Sequence, residues 1–278
     1  MMNMATESDI NVDKFIILAN EMANAAGEVI APLFRSNIEF SDKGDKDGRL
    51  SLVTEADKNA EKVMRDLISN RFPEHGIVGE EFGSVRKDAE FVWFLDPIDG
   101  TNSFLAGLPT WGTLIGLQKN GRPILGIMNQ PIFEERFIGS QYGSFLGEKL
   151  IKTRECKKLE NANLSITSLK MMATNNQLSA FNKIEQRVYN TRVGGDCYNY
   201  ALLAAGCIDL VIEGELSPWD IQAHIPIIRS AGGIITDWKG NENFSEGLVV
   251  AAGDKRIHQE ALNIAESLAS KGSSSKIK

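Results

Sequence analysis

Cysteine and histidine are scarce, with three of each in 278 residues. Cys156, Cys197 and Cys207 are odd in number and form no C-x-x-C pair, which argues against a disulfide framework or a thiolate zinc site. His75, His224 and His258 lie far apart with no H-x-x-x-H pair, so no single helix offers two imidazoles to one metal. Any metal chemistry must rest on carboxylates. Positive charge is short as well: 30 Lys and Arg against 37 Asp and Glu give a net charge of -7, and no basic run overturns it. That excludes a phosphate-backbone grip on nucleic acid, although an acidic chain still binds an anion where metal ions intervene. Long apolar runs are missing too. MMNMATESDI lacks the basic and apolar regions of a signal peptide, and the run Phe15 to Ala19 is broken by Asn20 and Glu21. We therefore expect no membrane partner and a cytoplasmic protein.

What is there reads as an ordinary globular composition, 42% hydrophobic and 24% charged, long enough for one large core or two abutting ones. Phe15, Ala19, Met22, Ala26 and Ile30 recur at steps of four and three, predicting an amphipathic helix from about Val12 to Phe34. Thr54-Glu55-Ala56-Asp57 opens a second helix through Ile68, stopped by Pro73 and Gly76. Short apolar runs follow: Ile77-Val78 ends at Glu80-Glu81, and Phe91 to Leu95 ends at Asp96. Thr113 to Gln118 and Ile124 to Asn129 flank Asn120-Gly121, a hairpin signal, and a meander continues to Leu146. After about Lys152 come a helix at Tyr198 to Ala205, a strand at Ile208 to Ile212, and a helix from about Asp220 to Ala231, kinked at Pro226 and stopped by Gly232-Gly233. We divide the chain into residues 1–150, helices plus an antiparallel sheet carrying most of the metal ligands, residues 151–270, an α/β part completing the site, and a disordered tail, 271–278.

Glu80, Glu81, Asp96 and Asp99 fall within twenty residues at the mouths of two predicted strands. Acids gathered there repel one another unless something positive sits among them, and oxygen-only ligands select hard cations such as Mg2+. Pro97 fixes its own φ, so Asp-Pro-Ile-Asp can turn both aspartates and the Ile98 carbonyl toward one point. If a helix begins after Gly100-Thr101, its free N–H groups cradle a phosphate and the Thr101 hydroxyl can touch a water. Metal, anion cradle and placed water make a hydrolytic phosphoryl-transfer site. Each part alone has a plainer reading: a solvated acid pair, an Asp-Pro turn, a threonine cap.

Together, "GEE" at Gly79 to Glu81, "DPIDGTNSF" at Asp96 to Phe104 and "WDIQAHIPIIRSAGG" at Trp219 to Gly233 resemble the paired signatures of the inositol monophosphatase superfamily. The likeness runs from "LVTEAD" (Leu52 to Asp57) to "AAGD" (Ala251 to Asp254). It implies an α/β chain of the α+β type, a layered αβαβα sandwich of the inositol monophosphatase and fructose-1,6-bisphosphatase kind, with Mg2+ dependence and a homodimer. It makes Glu80, Asp96 and the Ile98 carbonyl ligands of one metal, and Asp96, Asp99 and Asp220 ligands of a second. Glu80 and Thr101 would orient and deprotonate the attacking water, and the Gly100 and Thr101 amides would hold phosphate. Family members often carry an acid where this chain has Ser51, to place a third, weaker metal; two Mg2+ ions are expected and the third is left open.

"GLPTWGTLIGL" (Gly107 to Leu117), "GGDCYNYALLAAGCIDLVIEGELSPWD" (Gly194 to Asp220) and "HIPII" (His224 to Ile228) look more like the histidinol-phosphatase branch. In that likeness Asp99, Asp196, Glu213 and Asp220 face a small phosphorylated metabolite, L-histidinol phosphate in histidine biosynthesis, whose amino group two carboxylates would pair. Asp196 reads equally as a cap of the helix near Tyr198, and Glu213 equally as an acceptor for sugar hydroxyls. The alternatives are an inositol-1-phosphatase or promiscuous sugar phosphatase and, from another class, a catalytically silent regulatory partner.

Overall fold

The computed structural model describes residues 11–36, 40–44 and 50–269, with side chains at 11–36 and 55–265. The segment MMNMATESDI, the Ser51 side chain and the tail 271–278 lie outside the described residues.

Helix α1 (Asp13–Ile30) buries Phe15, Leu18, Ala19, Met22, Ala23 and Ala26 along one stripe. It tightens into a single 3-10 turn at Ala31–Leu33, where Pro32 supplies no N–H, so the α-helix ends short of the predicted Phe34. A hairpin, β1 (Phe40–Gly44) and β2 (Leu50–Thr54), leads into α2 (Glu55–Arg71).

Next comes an eight-stranded sheet built from β3 (Gly76–Gly79), β4 (Gly83–Val85), β5 (Phe91–Asp99), β6 (Gly112–Lys119), β7 (Arg122–Gln130), β8 (Glu135–Ser140), β9 (Gly143–Leu146) and β10 (Lys149–Ile151), with α3 (Thr101–Ala106) after β5. Its order is β10-β9-β8-β7-β6-β5-β3-β4, parallel only between β3 and β5. The β6–β7 turn has positive φ at Asn120 and Gly121, as the Asn-Gly signal predicts. Strand β5 runs on to Asp99 instead of ending at Asp96, because its pairing with β6 slips between those two aspartates.

The rest of the chain is β11 (Asn163–Ile166), α4 (Asn175–Glu185), β12 (Asn190–Val193), α5 (Tyr198–Ala204), β13 (Leu210–Glu213), α6 (Pro218–Gln222), α7 (His224–Ser230), β14 (Ile234–Thr236), β15 (Val249–Ala252) and α8 (Lys255–Ala269). Its five strands pair in the order β12-β11-β13-β15-β14. The helix expected from Asp220 to Ala231 is two helices, α6 and α7, parted at Ala223. Pro226 is the cause: its ring crowds the Gln222 carbonyl and leaves it without its donor one turn earlier.

Alternation along the strands divides the apolar residues among three cores. Trp93, Leu95, Ile115 and Leu117 face α1 and α2; Leu114, Met128, Phe137 and Val211 face α5, α6 and α7 between the sheets; Leu210 and Ile212 face Phe181 of α4 and Ile257 of α8. The order is therefore helices, sheet, helices, sheet, helices, the expected αβαβα sandwich. Gly116, Gly126 and Gly139 stand opposite one another on β6, β7 and β8. A Cβ at Gly116 would sit 3.0 Å from the Ala223 nitrogen, one at Gly126 would strike the Ala223 carbonyl, and one at Gly139 would strike the Ile227 backbone. This row lets α6 and α7 lie backbone-to-backbone on the sheet.

Candidate active site

The acids converge where the end of β5 meets the start of α6. One carboxylate oxygen each from Asp96, Asp99 and Asp220 lies within 4.8 Å of the others, the only such metal-competent group among the described residues. The β5 slip turns Asp96 and Asp99 the same way, and α6, in the central layer, brings Asp220 down onto them. Pro218 at the first helical position and the Ser217–Asp220 capping box fix that helix start. One oxygen of Asp220 accepts the Ser217 N–H at 2.7 Å, and one of Asp99 accepts the Cys197 N–H at 2.7 Å.

Glu80 follows β3 and stands outside this trio, yet close enough to raise the Asp96 pKa, second in effect only to burial. Its turn is braced from below by Glu61 of α2, fully buried, which accepts the amides of Glu81 at 2.7 Å and Phe82 at 3.2 Å. Gly79 leaves the room Glu61 occupies.

Gly100, at φ +85°, turns the chain out of β5, and α3 begins at Thr101. The Thr101 hydroxyl donates to the Ile98 carbonyl at 3.1 Å, leaving its lone pairs free to accept. Amides at this helix start have no intrahelical acceptor. Asp196 does not cap α5: Cys197 is the N-cap residue, without a side-chain cap. Held at φ +46°, Asp196 packs against Gly100, and one of its oxygens accepts the hydroxyls of Ser103 at 2.7 Å and Thr110 at 2.8 Å.

Beside the acids a cavity of about 50 Å³ has Asp99, Asp196, Glu213, Asp220, Tyr200 and His224 in its wall. Glu213 is buried and already engaged, accepting the Thr167 N–H at 2.9 Å, the Thr167 hydroxyl at 2.6 Å and the Tyr200 hydroxyl at 2.9 Å. Burial lifts its carboxyl to about 7 against these bonds.

Burial pushes Asp96 well above the usual carboxylate range, helped by Glu80, Asp99, Asp220 and Asp57; Asp99 rises likewise by burial and then by Asp220, Asp196 and Glu213. Burial takes Asp220 to about 6. At about 4 Å, two carboxylates in an effective dielectric of about 20 repel by about 4 kcal/mol, so the set is under strain as anions. Asp96 Oδ1 is buried with no hydrogen-bond donor. An orphaned carboxylate oxygen within an oxygen-only, acidic set fits a hard divalent cation.

The sequence profile of the inositol monophosphatase family matches residues 11–270. The chain belongs to the inositol monophosphatase family. This family member is 44% identical over 271 residues to "Bifunctional phosphatase IMPL2, chloroplastic" of Arabidopsis thaliana, spanning 93% of this chain and 77% of that protein. It is 33% identical to the histidinol-phosphatase of Chlorobaculum parvum, over 84% of this chain and 90% of the relative. The solved inositol monophosphatase from Zymomonas mobilis matches its fold with a TM-score of 0.82 at 39% identity, covering 92% and 99% of the two chains. It is a phosphatase of this family, and none of its described helices is long and apolar enough to cross a membrane.

Sequence reading overlooked several residues that the inositol monophosphatase fold brings to the site. Asp57, buried in the first turn of α2, adds to the charge around Asp96, but in the sequence it is an ordinary helix-start acid. Glu61 pairs with Arg65 four residues on, a pattern that reads as a surface ion pair. Tyr200 and His224 lie on different helices, and no local spacing joins them.

Proposed function

We propose that the protein is a magnesium-dependent phosphomonoesterase and that its substrate is L-histidinol phosphate, which would place it in histidine biosynthesis. The observation that carries the substrate is the cavity beside the acid trio: its titratable carboxylates are Asp99, Asp196, Glu213 and Asp220, with no Lys or Arg in the wall. Such a wall suits an alcohol bearing an amino group. The histidinol-phosphatases of Chlorobaculum parvum and Streptomyces coelicolor, each 33% identical, support the same reading.

Asp96, Asp99 and Asp220 would hold Mg2+, with Glu80 and the Ile98 carbonyl completing a two-ion set. Bound there, Mg2+ supplies Lewis-acid polarisation and neutralises charge on the transferring phosphoryl group. The chain's own part is positional. Gly100 and Thr101 present amides to the phosphate at the start of α3. Thr101, its proton committed to the Ile98 carbonyl, accepts from the attacking water and aims it, and Glu80 takes the proton. Asp196, pinned by two hydroxyls, holds Gly100 in place and faces the leaving alcohol.

A second reading, an inositol-1-phosphatase or sugar phosphatase, is favoured by the fructose-1,6-bisphosphatase/inositol-1-monophosphatase of Aquifex aeolicus, 31% identical. A catalytically silent partner fits poorly with a complete acid trio. We keep the homodimer and the cytoplasmic location as parts of this proposal; Tyr189 and Val193, exposed at the edge strand β12, offer apolar surface for a second copy. The deciding experiment compares kcat/KM with Mg2+ for histidinol phosphate, inositol 1-phosphate, fructose 1,6-bisphosphate and adenosine 3',5'-bisphosphate. Histidinol phosphate should lead, and chelation should abolish turnover. A lead for inositol 1-phosphate would replace the substrate, and turnover unaffected by chelation would remove the metal.

A further inference from the structure

Glu61 of α2 is fully buried, and its carboxylate takes the amides that follow Glu80. Glu80 to Phe82 form the turn that joins β3 to β4. The Glu80 amide donates to the Leu95 carbonyl at 3.3 Å, one residue before Asp96. The next two amides serve a different partner: Glu61 Oε2 accepts from Glu81 at 2.7 Å, and Oε1 from Phe82 at 3.2 Å. Glu80 is thus the residue at which the chain passes from the hold of β5 to the hold of α2.

Arg65, one turn further along α2, closes the arrangement. It donates from Nε to Glu61 Oε1 at 2.6 Å and from Nη2 to the Gly83 carbonyl just beyond the turn, and its guanidinium carbon lies 5.9 Å from the centre of the Phe82 ring. At Gly79 a Cβ would strike the Glu61 carboxylate and stand 2.8 Å from Arg65 Nη2. Gly79, Glu81, Phe82 and Gly83 therefore all close on this pair, with Glu80 between them.

Surface ion pairs at i, i+4 contribute little to stability, and a buried carboxylate costs solvation that an apolar side chain would not. What a carboxylate offers here is two adjacent acceptor oxygens for two consecutive amides. Glutamine, nearest in shape, offers one oxygen and turns an N–H toward the second amide. Arg65 balances the charge, so the pair adds no net charge beside the acids that already crowd Asp96.

We propose that Glu61 is a positioning residue of the reaction: held by Arg65, it fixes the backbone that follows Glu80 as the Leu95 carbonyl fixes the Glu80 amide, and the two together set where the Glu80 carboxylate stands against Asp96. This rests on the reading above in which Glu80 takes the proton of the attacking water. A misplacement of about 1 Å at such a group costs about 100-fold in rate, and a turn stripped of these bonds should lose a sizeable part of that.

The test joins amide exchange with kinetics. Without metal, the Glu81 and Phe82 amides of the wild-type protein should exchange slowly, and Glu61→Gln should speed both at least ~10-fold while Met64 and Ile68 of α2 stay as slow as before. At saturating Mg2+, Glu61→Gln should lower kcat at least ~10-fold with KM within about twofold, on whichever of histidinol phosphate and inositol 1-phosphate the protein hydrolyses. In a Glu80→Gln background, itself down at least ~100-fold, the same substitution should cost less than about twofold more, because the group it positions is already gone. Unprotected wild-type amides, wild-type kcat for Glu61→Gln, or a full further loss in the Glu80→Gln background would each overturn the proposal. If Glu61→Gln does not fold, Glu61→Met with Arg65→Met removes both charges and still strips the turn of its acceptor. Near-wild-type turnover by Glu80→Gln alone would instead sink the role given to Glu80, and the positioning role with it.

Discussion

Gly100→Ala adds a single methyl group to the site, and the structure says where it would go. The new Cβ would stand 2.8 Å from both Cβ and Cγ of Asp196, against an ordinary carbon contact of about 3.5–4.0 Å. Asp196 cannot simply retreat, because one of its oxygens is pinned by Ser103 at 2.7 Å and Thr110 at 2.8 Å. Alanine at φ +85° adds about 1–2 kcal/mol of left-handed strain. Losing or stretching one of the hydroxyl bonds adds about 1–2 kcal/mol more. The sum, about 2–4 kcal/mol, should lower Tm by roughly 4–8 °C, at about 2 °C per kcal/mol for a chain of this size. The loop would shift by a large fraction of an ångström to relieve the contact, carrying the Thr101 amide and hydroxyl with it, so kcat/KM should fall about 100-fold. The assay is thermal denaturation together with Mg2+-dependent phosphate release. Asp196→Gly in the same background removes the obstructing carbons, so the two substitutions should couple by at least ~1 kcal/mol in a double-mutant cycle. Wild-type Tm and turnover for Gly100→Ala, or additive effects in the cycle, would refute the reasoning.

Asp99→Asn and Asp220→Asn each remove one charge from the trio, and each should cost at least ~100-fold in activity at saturating Mg2+ while the far-ultraviolet circular dichroism is unchanged. Near-wild-type turnover would remove them from the metal set. Thr101→Ala should lower kcat more than it raises KM, since the hydroxyl acts on the nucleophile; a change in KM alone would make it a binding group. Asp196→Asn should cost histidinol phosphate about 1.5–3 kcal/mol in kcat/KM and inositol 1-phosphate much less, and equal losses would reduce Asp196 to a support for the loop. Without metal, burial raises Asp96, Asp99 and Asp220 above their unfolded values, Asp220 to about 6. The native state then holds more protons than the unfolded one, and stability falls as pH rises from about 4 through 6 and beyond. The gain in Tm on adding Mg2+ should therefore be larger at pH 8 than at pH 5; equal gains would contradict the proposed site.

The sequence displayed the site best where chemistry and chain are continuous. Asp96, Pro97, Asp99, Gly100 and Thr101 are neighbours, and one β-bulge and one left-handed glycine arrange them. Asp220 lies far along the chain and could be joined to them only by resemblance, because the packing of a helix onto a distant sheet is not written in any local period. The helix at Asp220 to Ala231 was foreseen as one kinked piece; Pro226 was visible, but its effect falls a turn earlier, at Ala223, where the sheet backbone presses close. Asp196 was legible as important and open as to role, since a residue before a helix reads as a cap unless the hydroxyls that claim it, at Ser103 and Thr110, are seen. Glu61 carried no signal, and Tyr200 and His224 stood inside quoted motifs without a role of their own: a buried brace, a stack and an orphaned ring exist only once the layers are assembled.

The row of Gly116, Gly126 and Gly139 sets how far Asp220 stands from Asp96. With backbone resting on backbone, no side chain acts as a spacer that could be trimmed or thickened to adjust that separation. The gauge of the metal site is thus held by three residues that have no side chain and never approach the substrate. Variation there would reach the chemistry as a change of distance, through carboxylates that are themselves unaltered, and a chain could lose its activity with every catalytic residue still in its sequence.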